Sequence, residues 1–373
     1  MSKNIVLMYI SEISGHHSAT IAIEKSVRNI APLTGILNIN AFNYTNPISE
    51  KVINRLYMGV IKATPHIWDF LYDNPAIVKK VEKIKQAIHK FNSPKFKTLF
   101  DKYKPDAVCC TQAFPCGMVA DYKKNYGVDI PLVAVLTDYV PHAYWVYDDI
   151  NYYVVPSQEV GQRLIQKGVS PEKIKPFGIP FDPEFNQPFS KPRLRRKLGL
   201  AEQTFTILIM GGGQGLGPIK KIINSLDKTV NDLQEIVVCG SNKNLYNSLK
   251  KKVKKLKKKV LLYGYADNVS ELMSAADIIV TKPGGITTAE ALAKQLPMVI
   301  VKPIPGQEAN NTEYLIAKEA AIKVEDPEEI AQVVSELLAQ PEKLLSMAKS
   351  SARIAKPNAS QDIAELLLNP SYV

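Results

Sequence analysis

The sequence predicts an α/β protein of two domains, each built on a parallel sheet, and three observations carry that prediction. Apolar runs of strand length alternate with helix-compatible segments from one end of the chain to the other, the pattern of repeated βαβ units. The series breaks at KPFGIPFDPEFNQPFSKPRLRRKLG, a stretch rich in proline between Pro176 and Pro192 with little periodicity, which reads as a linker or hinge. A chain of 373 residues is also too long for one ordinary core and long enough for two.

Each element follows from the residues in turn. In the first half the strands are Ile5–Ile10, Ala107–Cys110, Leu132–Thr137 and Tyr152–Val155, with helices over His17–Arg28, Pro115–Tyr126 and Gln158–Lys167. Between Ile48 and Tyr103 the pattern changes to a helical, basic and aromatic insertion containing HIWDFLY. The second series runs Phe205–Met210, Ile236–Cys239, Val260–Tyr263, Ile278–Thr281 and Met298–Val301, each strand followed by a stretch of helix length. The domain limits expected are residues 1–180, a linker 181–200, residues 201–355, and a C-terminal helix within 356–373 that returns to the first domain. Open α/β sheets bind ligands at the carboxyl ends of their strands, so a cleft between two such halves is the expected site.

Composition narrows the function classes. With 46% hydrophobic and 22% charged residues, a disordered or collagen-like chain is excluded. No apolar run approaches the roughly 18 residues of a membrane-spanning helix, and MSKNIVLMYISEIS has too short an apolar stretch for a signal peptide, so a cytoplasmic protein is expected. Cys109, Cys110, Cys116 and Cys239 form no C-x-x-C pair and have no histidine at ligand spacing, which indicates buried free thiols rather than a disulfide framework or a zinc site. The net charge of +11 is concentrated in two places, the insertion and the run Lys250–Lys259, which reads KKKVKKLKKK. Leu245, Leu249, Val253 and Leu256 fall at helical spacing beside that run, so its lysines are expected on the solvated face of one packed helix. No nucleic-acid motif accompanies the charge, and no nucleic-acid partner is expected.

Three loops carry the chemistry. The first strand ends in Ser14-Gly15-His16-His17-Ser18, where a small turn at the sheet's carboxyl edge suits a general base or an anion contact. Gly211-Gly212-Gly213-Gln214-Gly215-Leu216-Gly217 follows the strand FTILIM and is expected to open a helix, letting the backbone approach a diphosphate. Its spacing fits neither the dinucleotide fingerprint nor a P-loop. The third stretch is Thr281-Lys282-Pro283-Gly284-Gly285-Ile286-Thr287-Thr288-Ala289-Glu290-Ala291, followed after a strand by Pro305-Gly306-Gln307-Glu308-Ala309-Asn310-Asn311. Gly284 and Gly285 form a second phosphate cradle, and Glu290 lies about one and a half turns into the helix, where a carboxylate can accept both hydroxyls of a ribose. The next loop supplies the amides and carboxylate of Gln307, Glu308, Asn310 and Asn311, groups that recognise sugar hydroxyls.

KPGGITTAEA followed by PGQEANN resembles the donor-binding signature of the family 28 lipid glycosyltransferases. KPGGIT is similar to the processive diacylglycerol beta-glucosyltransferases, and GGGQGLGPI and SGHHSA to the monogalactosyldiacylglycerol synthases. IPLVAVLTDYVPHAYW and YYVVPSQEV also resemble the first domain of the latter. The resemblance implies the GT-B architecture, two Rossmann-like domains facing across a cleft, and an inverting transfer of glucose or galactose from a UDP-sugar to diacylglycerol. It implies donor contacts from Gly213, Gln214, Gly215, Gly284, Gly285 and Thr287 at the diphosphate and from Glu290 at the ribose. Tyr265 and Ala266 meet the uracil, and Gln307, Glu308 and Asn311 complete the donor contacts. His16 matches the family's catalytic base and Asp138 an acidic position that assists it, with His17 left as the alternative base.

The chain contains no D-x-D, so no metal-bridged diphosphate and no cofactor beyond the donor are expected. Diacylglycerol lies in a bilayer, and Trp68, Phe70, Lys79 and Lys80 of the insertion combine ring and charge as an anionic membrane surface requires, placing the enzyme peripherally on the inner face of the cell membrane. Two other functions share these motifs: transfer of N-acetylglucosamine to a polyprenyl-linked peptidoglycan precursor, and catalytically silent sensing of a UDP-sugar.

Overall fold

Two six-stranded sheets, every pairing parallel, form the frame of the computed structural model, which describes residues 3–45, 95–141 and 143–370. The first sheet contains β1 (Asn4–Tyr9), β2 (Gly35–Asn40), β3 (Ala107–Cys110), β4 (Leu132–Val135), β5 (Tyr152–Val154) and β6 (Ile174–Lys175), in the order β2-β1-β3-β4-β5-β6. The second contains β7 (Phe205–Met210), β8 (Leu233–Val238), β9 (Lys259–Tyr263), β10 (Ile278–Thr281), β11 (Met298–Val301) and β12 (Ala321–Val324), in the order β12-β11-β10-β7-β8-β9. Strand order reverses between β1 and β3 in one sheet and between β7 and β10 in the other, and at such switch points the loops beyond the carboxyl ends diverge and leave a crevice.

The chain divides into two units, one of Met1–Pro183, Pro305–Gln307 and Asn358–Val373, the other of Glu184–Ile304 and Glu308–Pro357. The expected linker therefore splits at Pro183. Its second part is built into the second unit, where the helix Lys191–Lys197 buries Arg195. That guanidinium donates to the Ala275 and Glu202 carbonyls, each at 2.9 Å, and to Asp277 Oδ2 at 2.5 Å, satisfying a buried charge that would otherwise be costly. The last helix, Ala359–Leu368, belongs to the first unit. Its Ile363, Ala364, Leu366 and Leu367 share a core with Ile5, Leu7, Ile23 and Val27, and Ser360 Oγ donates to the Phe181 carbonyl at 2.6 Å.

The sequence reading missed β2, β6 and β12, and all three are edge strands. A central parallel strand is covered on both faces and reads as a continuous apolar run, whereas an edge strand is half solvated and carries polar residues such as Asn38 or Lys323. The four cysteines are free and buried, as expected, and burial pushes the Cys109 and Cys110 thiols far above the ordinary range.

The lysine run is not one helix. The helix Lys243–Lys252 ends at Val253, the chain turns through Val253–Lys255, and Lys259 begins β9, so Leu245 and Leu249 are buried while Val253 and Leu256 pack only partly against the core. Asp227 Oδ1 stops the helix from continuing by accepting from the backbone N–H groups of Lys257 and Lys258, at 2.7 and 3.1 Å. Lys250, Lys251 and Lys252 lie in the helix's last turn, where positive charge favours the dipole, and Lys257–Lys259 lead into the exposed edge strand β9, where charge discourages pairing with another chain.

Beside that run lies a buried carboxyl. Glu235, in β8 on the same face as Leu233 and Val237, is fully buried, and among the described residues neither carboxyl oxygen has a hydrogen-bond partner. Burial, with the nearby Asp227 carboxylate, raises its pKa to about 8 against partial relief from Lys258. The native state then holds a proton that the unfolded chain releases from about pH 4.5 upward. Stability should fall as pH rises from about 4.5 to about 8, by an amount on the order of 4 kcal/mol at the upper limit. Denaturant titration of the wild type and Glu235→Gln across that window checks this: the variant should be the more stable at pH 8 and should lose most of the slope.

Candidate functional site

In the first unit the chemistry gathers where β1 and β3 diverge. Ser14 caps the helix Gly15–Ile30, its hydroxyl accepting from the His17 N–H at 3.3 Å, and this places the two histidines in the helix's first turn. His16 Nδ1 lies 2.8 Å from the Thr111 carbonyl, just past β3, and 3.2 Å from Thr137 Oγ1, just past β4. Thr111 Oγ1 donates back to the His16 carbonyl at 3.0 Å, so the ends of three strands lock one imidazole. A carbonyl can only accept, so Nδ1 carries the hydrogen and Nε2 carries the lone pair of a base.

Desolvation holds the His16 pKa below the ordinary imidazole value, against the opposing pull of the Asp138 carboxylate and the Thr111 carbonyl. Asp138, three residues beyond β4, thus stands close enough to His16 to steady the positive charge that proton uptake creates. His17 is differently engaged: its ring stacks on Tyr9 with centroids 4.1 Å apart, and its Nδ1 lies 2.9 Å from the Glu12 carbonyl. Tyr9 OH also donates to Glu12 Oε2 at 2.6 Å, closing a small cluster within the loop after β1.

In the second unit the two glycine loops follow β7 and β10, the strands that flank its switch point. The first is a tight turn closed by Leu216 N–H to Gly211 carbonyl and Gly215 N–H to Gly212 carbonyl, both 3.0 Å. Gly213 and Gln214 are exposed on it, while Gly215 is buried. Gly215 has φ +59°, and a Cβ there would lie 1.8 Å from the Cys239 carbonyl oxygen. Packing against the turn after β8 therefore by itself demands glycine at that position. The loop also does not open a helix directly, since the helix Ile219–Leu226 begins only after Gly217 and Pro218.

Gly284 is the opposite case. It caps the helix Gly285–Ala293 with ordinary φ −70°, it offers no side chain to the first N–H groups, and a Cβ there would meet nothing within 4 Å. No contact among the described residues accounts for glycine here, and the N–H groups of Gly285, Ile286 and Thr287 form the positive end of the helix dipole. Glu290 is half-buried in the second turn. Tyr265, exposed, and Ala266, half-buried, follow β9 on the same carboxyl edge.

The stretch expected as a sugar-binding loop is the start of a helix, Gln307–Ala317, opened by Gln307. Glu308 and Asn311, three apart on one helix face, both reach the loop after β10. Glu308 Oε1 pairs with Lys282 Nζ at 2.9 Å, and Asn311 Nδ2 donates to the Pro283 carbonyl at 3.0 Å. Asn311 is buried and braces the Lys282–Gly285 loop through that bond. Lys282, Thr111 and Thr137 were not singled out from the sequence; Lys282 and Thr111 directly follow central strands and Thr137 stands two residues past another, and that position was the available signal. Trp68, Phe70, Lys79 and Lys80 lie outside the described residues.

The monogalactosyldiacylglycerol (MGDG) synthase model matches residues 16–181, and the glycosyltransferase family 28 C-terminal domain model matches residues 206–367. A processive diacylglycerol beta-glucosyltransferase of Bacillus licheniformis is 31% identical over 377 residues, covering 100% of this chain and 96% of its own. The chain belongs to this glycosyltransferase family. A family member of the same name from Bacillus cereus is 30% identical over 363 residues, covering 96% of this chain and 92% of its own.

Among solved structures, Acinetobacter baumannii MurG aligns with TM-score 0.63 and 15% identity over 98% of this chain and 99% of its own. Anabaena HepE in complex with UDP gives 0.58 and 15% over 98% and 100%. The UDP-GlcNAc 2-epimerase of Neisseria meningitidis gives 0.63 and 15% over 98% and 100%. These show the GT-B fold that the family shares, and since an epimerase has it too, the fold alone does not select the reaction.

The two glycines separate experimentally. Gly215→Ala should lower the melting temperature by several degrees, because the side chain meets backbone in a left-handed conformation. Gly284→Ala should melt like the wild type, and calorimetric titration with UDP should show weakened binding if that open space receives the nucleotide.

Proposed function

We propose that the protein is an inverting UDP-hexose:diacylglycerol hexosyltransferase that moves glucose or galactose from its UDP-sugar to diacylglycerol, forming a beta-glycosyl diacylglycerol. The family relatives named above supply the substrate class, and their names favour UDP-glucose. The observation that carries the chemistry is His16, a histidine whose Nδ1–H is committed to a carbonyl, whose pKa is held down by burial, and whose Nε2 is left as the base.

His16 Nε2 takes the proton of the acceptor hydroxyl as that oxygen attacks the anomeric carbon from the face opposite the diphosphate. The bond from the anomeric carbon to the diphosphate oxygen breaks, its electron pair leaves with UDP, and one displacement inverts the carbon. Asp138 steadies the imidazolium. The helix start at Gly284, Gly285 and Thr287 receives the diphosphate, with Gly213 and Gln214 beside it, and no cofactor other than the sugar nucleotide takes part. Glu290 holds the ribose, and Tyr265 and Ala266 meet the uracil.

The acceptor sets the location. No helix among the described residues is long and apolar enough to cross a membrane, and diacylglycerol resides in a bilayer. The enzyme attaches peripherally to the cytoplasmic face of the cell membrane through the basic, aromatic insertion, in which Trp68 and Phe70 supply rings suited to acyl chains and Lys79 and Lys80 supply charge suited to anionic headgroups.

Liposomes containing diacylglycerol, incubated with the protein and UDP-glucose or UDP-galactose, should yield glycolipid and UDP; UDP binding without turnover of either donor would defeat the transferase assignment. His16→Ala should lower kcat by about 10²- to 10⁴-fold with UDP affinity retained, whereas His17→Ala should retain most activity. Because the base works unprotonated, the rate should rise with pH along a limb centred below the ordinary imidazole pKa, and a limb above that value would contradict the environment seen at His16.

A further inference from the structure

Lys282 follows β10 at the switch point of the second sheet. Its side-chain Cε lies 3.4 Å from where a Cβ on Gly212 would stand, so the chain of methylenes runs against the glycine loop after β7. Its ammonium is 2.9 Å from Glu308 Oε1, and the two side chains are only 26% and 15% exposed. Glu308 Oε2 meanwhile accepts from the Ile304 N–H at 3.0 Å. One ion pair thus joins the ends of β10 and β11 beside the loop after β7, and its charges are screened less than on an open surface.

On the donor assignment above, we propose that Lys282 binds the diphosphate of the sugar nucleotide, in competition with Glu308, and offsets the charge UDP gains on departure. When the anomeric carbon–oxygen bond breaks, that oxygen keeps the electron pair and UDP carries one more negative charge. A helix start supplies the equivalent of about half an elementary charge, so it does not balance a full one. The Lys282 ammonium supplies a whole positive charge and three N–H donors within the same crevice. Glu308 draws on the same ammonium and repels the diphosphate, which limits how tightly the product UDP is held and so favours its release.

Calorimetric titration with UDP, and with uridine by competition, on the wild type, Lys282→Met and Glu308→Gln tests this. Lys282→Met should weaken UDP about tenfold to a hundredfold and leave uridine unchanged, the size of loss expected for a charge-assisted contact. Glu308→Gln keeps an acceptor for the Ile304 N–H while removing the charge, and should tighten UDP by about threefold or more. Equal losses of UDP and uridine in Lys282→Met would make Lys282 a scaffold of the loop and overturn the proposal, as would unchanged UDP affinity. Weaker UDP binding by Glu308→Gln would overturn the competition. Failure of the wild type to bind either ligand would instead remove the donor assignment itself.

Discussion

The reversal of strand order in an all-parallel sheet is the constraint on which the chemistry depends. Parallel strands are joined by crossovers on one side of the sheet or the other, and where the side changes, two neighbouring loops part at the carboxyl edge. Both sheets do this once, between β1 and β3 and between β7 and β10. The first reversal brings His16 against Thr111, and the second brings Lys282 against Gly212. An imidazole and an ammonium are thereby brought to the carboxyl edges by the order of the strands.

The supporting residues convert that topology into defined chemistry. Thr111 both accepts from His16 and donates to its carbonyl, so the imidazole tautomer is a consequence of where β3 ends. Asn311 and Glu308 hold the Lys282–Gly285 loop from the neighbouring helix, one through a buried amide and the other through an ion pair. Such contacts keep a polar loop ordered at a helix start whose own N–H groups have no side-chain cap. Order there limits the reorganisation required when charge develops on a leaving group.

Much of this was legible along the chain, and what was not has a common cause. The central strands announced themselves as continuous apolar runs, while β2, β6 and β12, half solvated at sheet edges, carry polar residues that mask their period. β8 was read only from its fourth residue, Ile236, because Gln234 and Glu235 are polar yet buried; Gln234 is satisfied by Ala201 and Thr206, a compensation contributed by distant residues. The lysine run kept helical spacing through Leu256, but Asp227 intercepts the backbone at Lys257 and turns the chain into β9. In each case a partner far away in sequence decided the local outcome.

By itself the sequence determined the α/β class, the two sheets, the glycine turns at strand ends and the histidine loop, because periodicity and turn chemistry are local properties. It also carried the family, through motifs whose spacing survives in KPGGITTAEA and SGHHSA. Only the tertiary structure decided that His16 is the imidazole clamped between strand ends while His17 stacks on Tyr9. Only there does Gly215 prove to serve packing, with open space before Gly284, and Lys282 come to lie across a loop some seventy residues earlier. Those distinctions depend on which atoms lie opposite one another after the strands pair, and sheet pairing joins segments that carry no record of each other's distance.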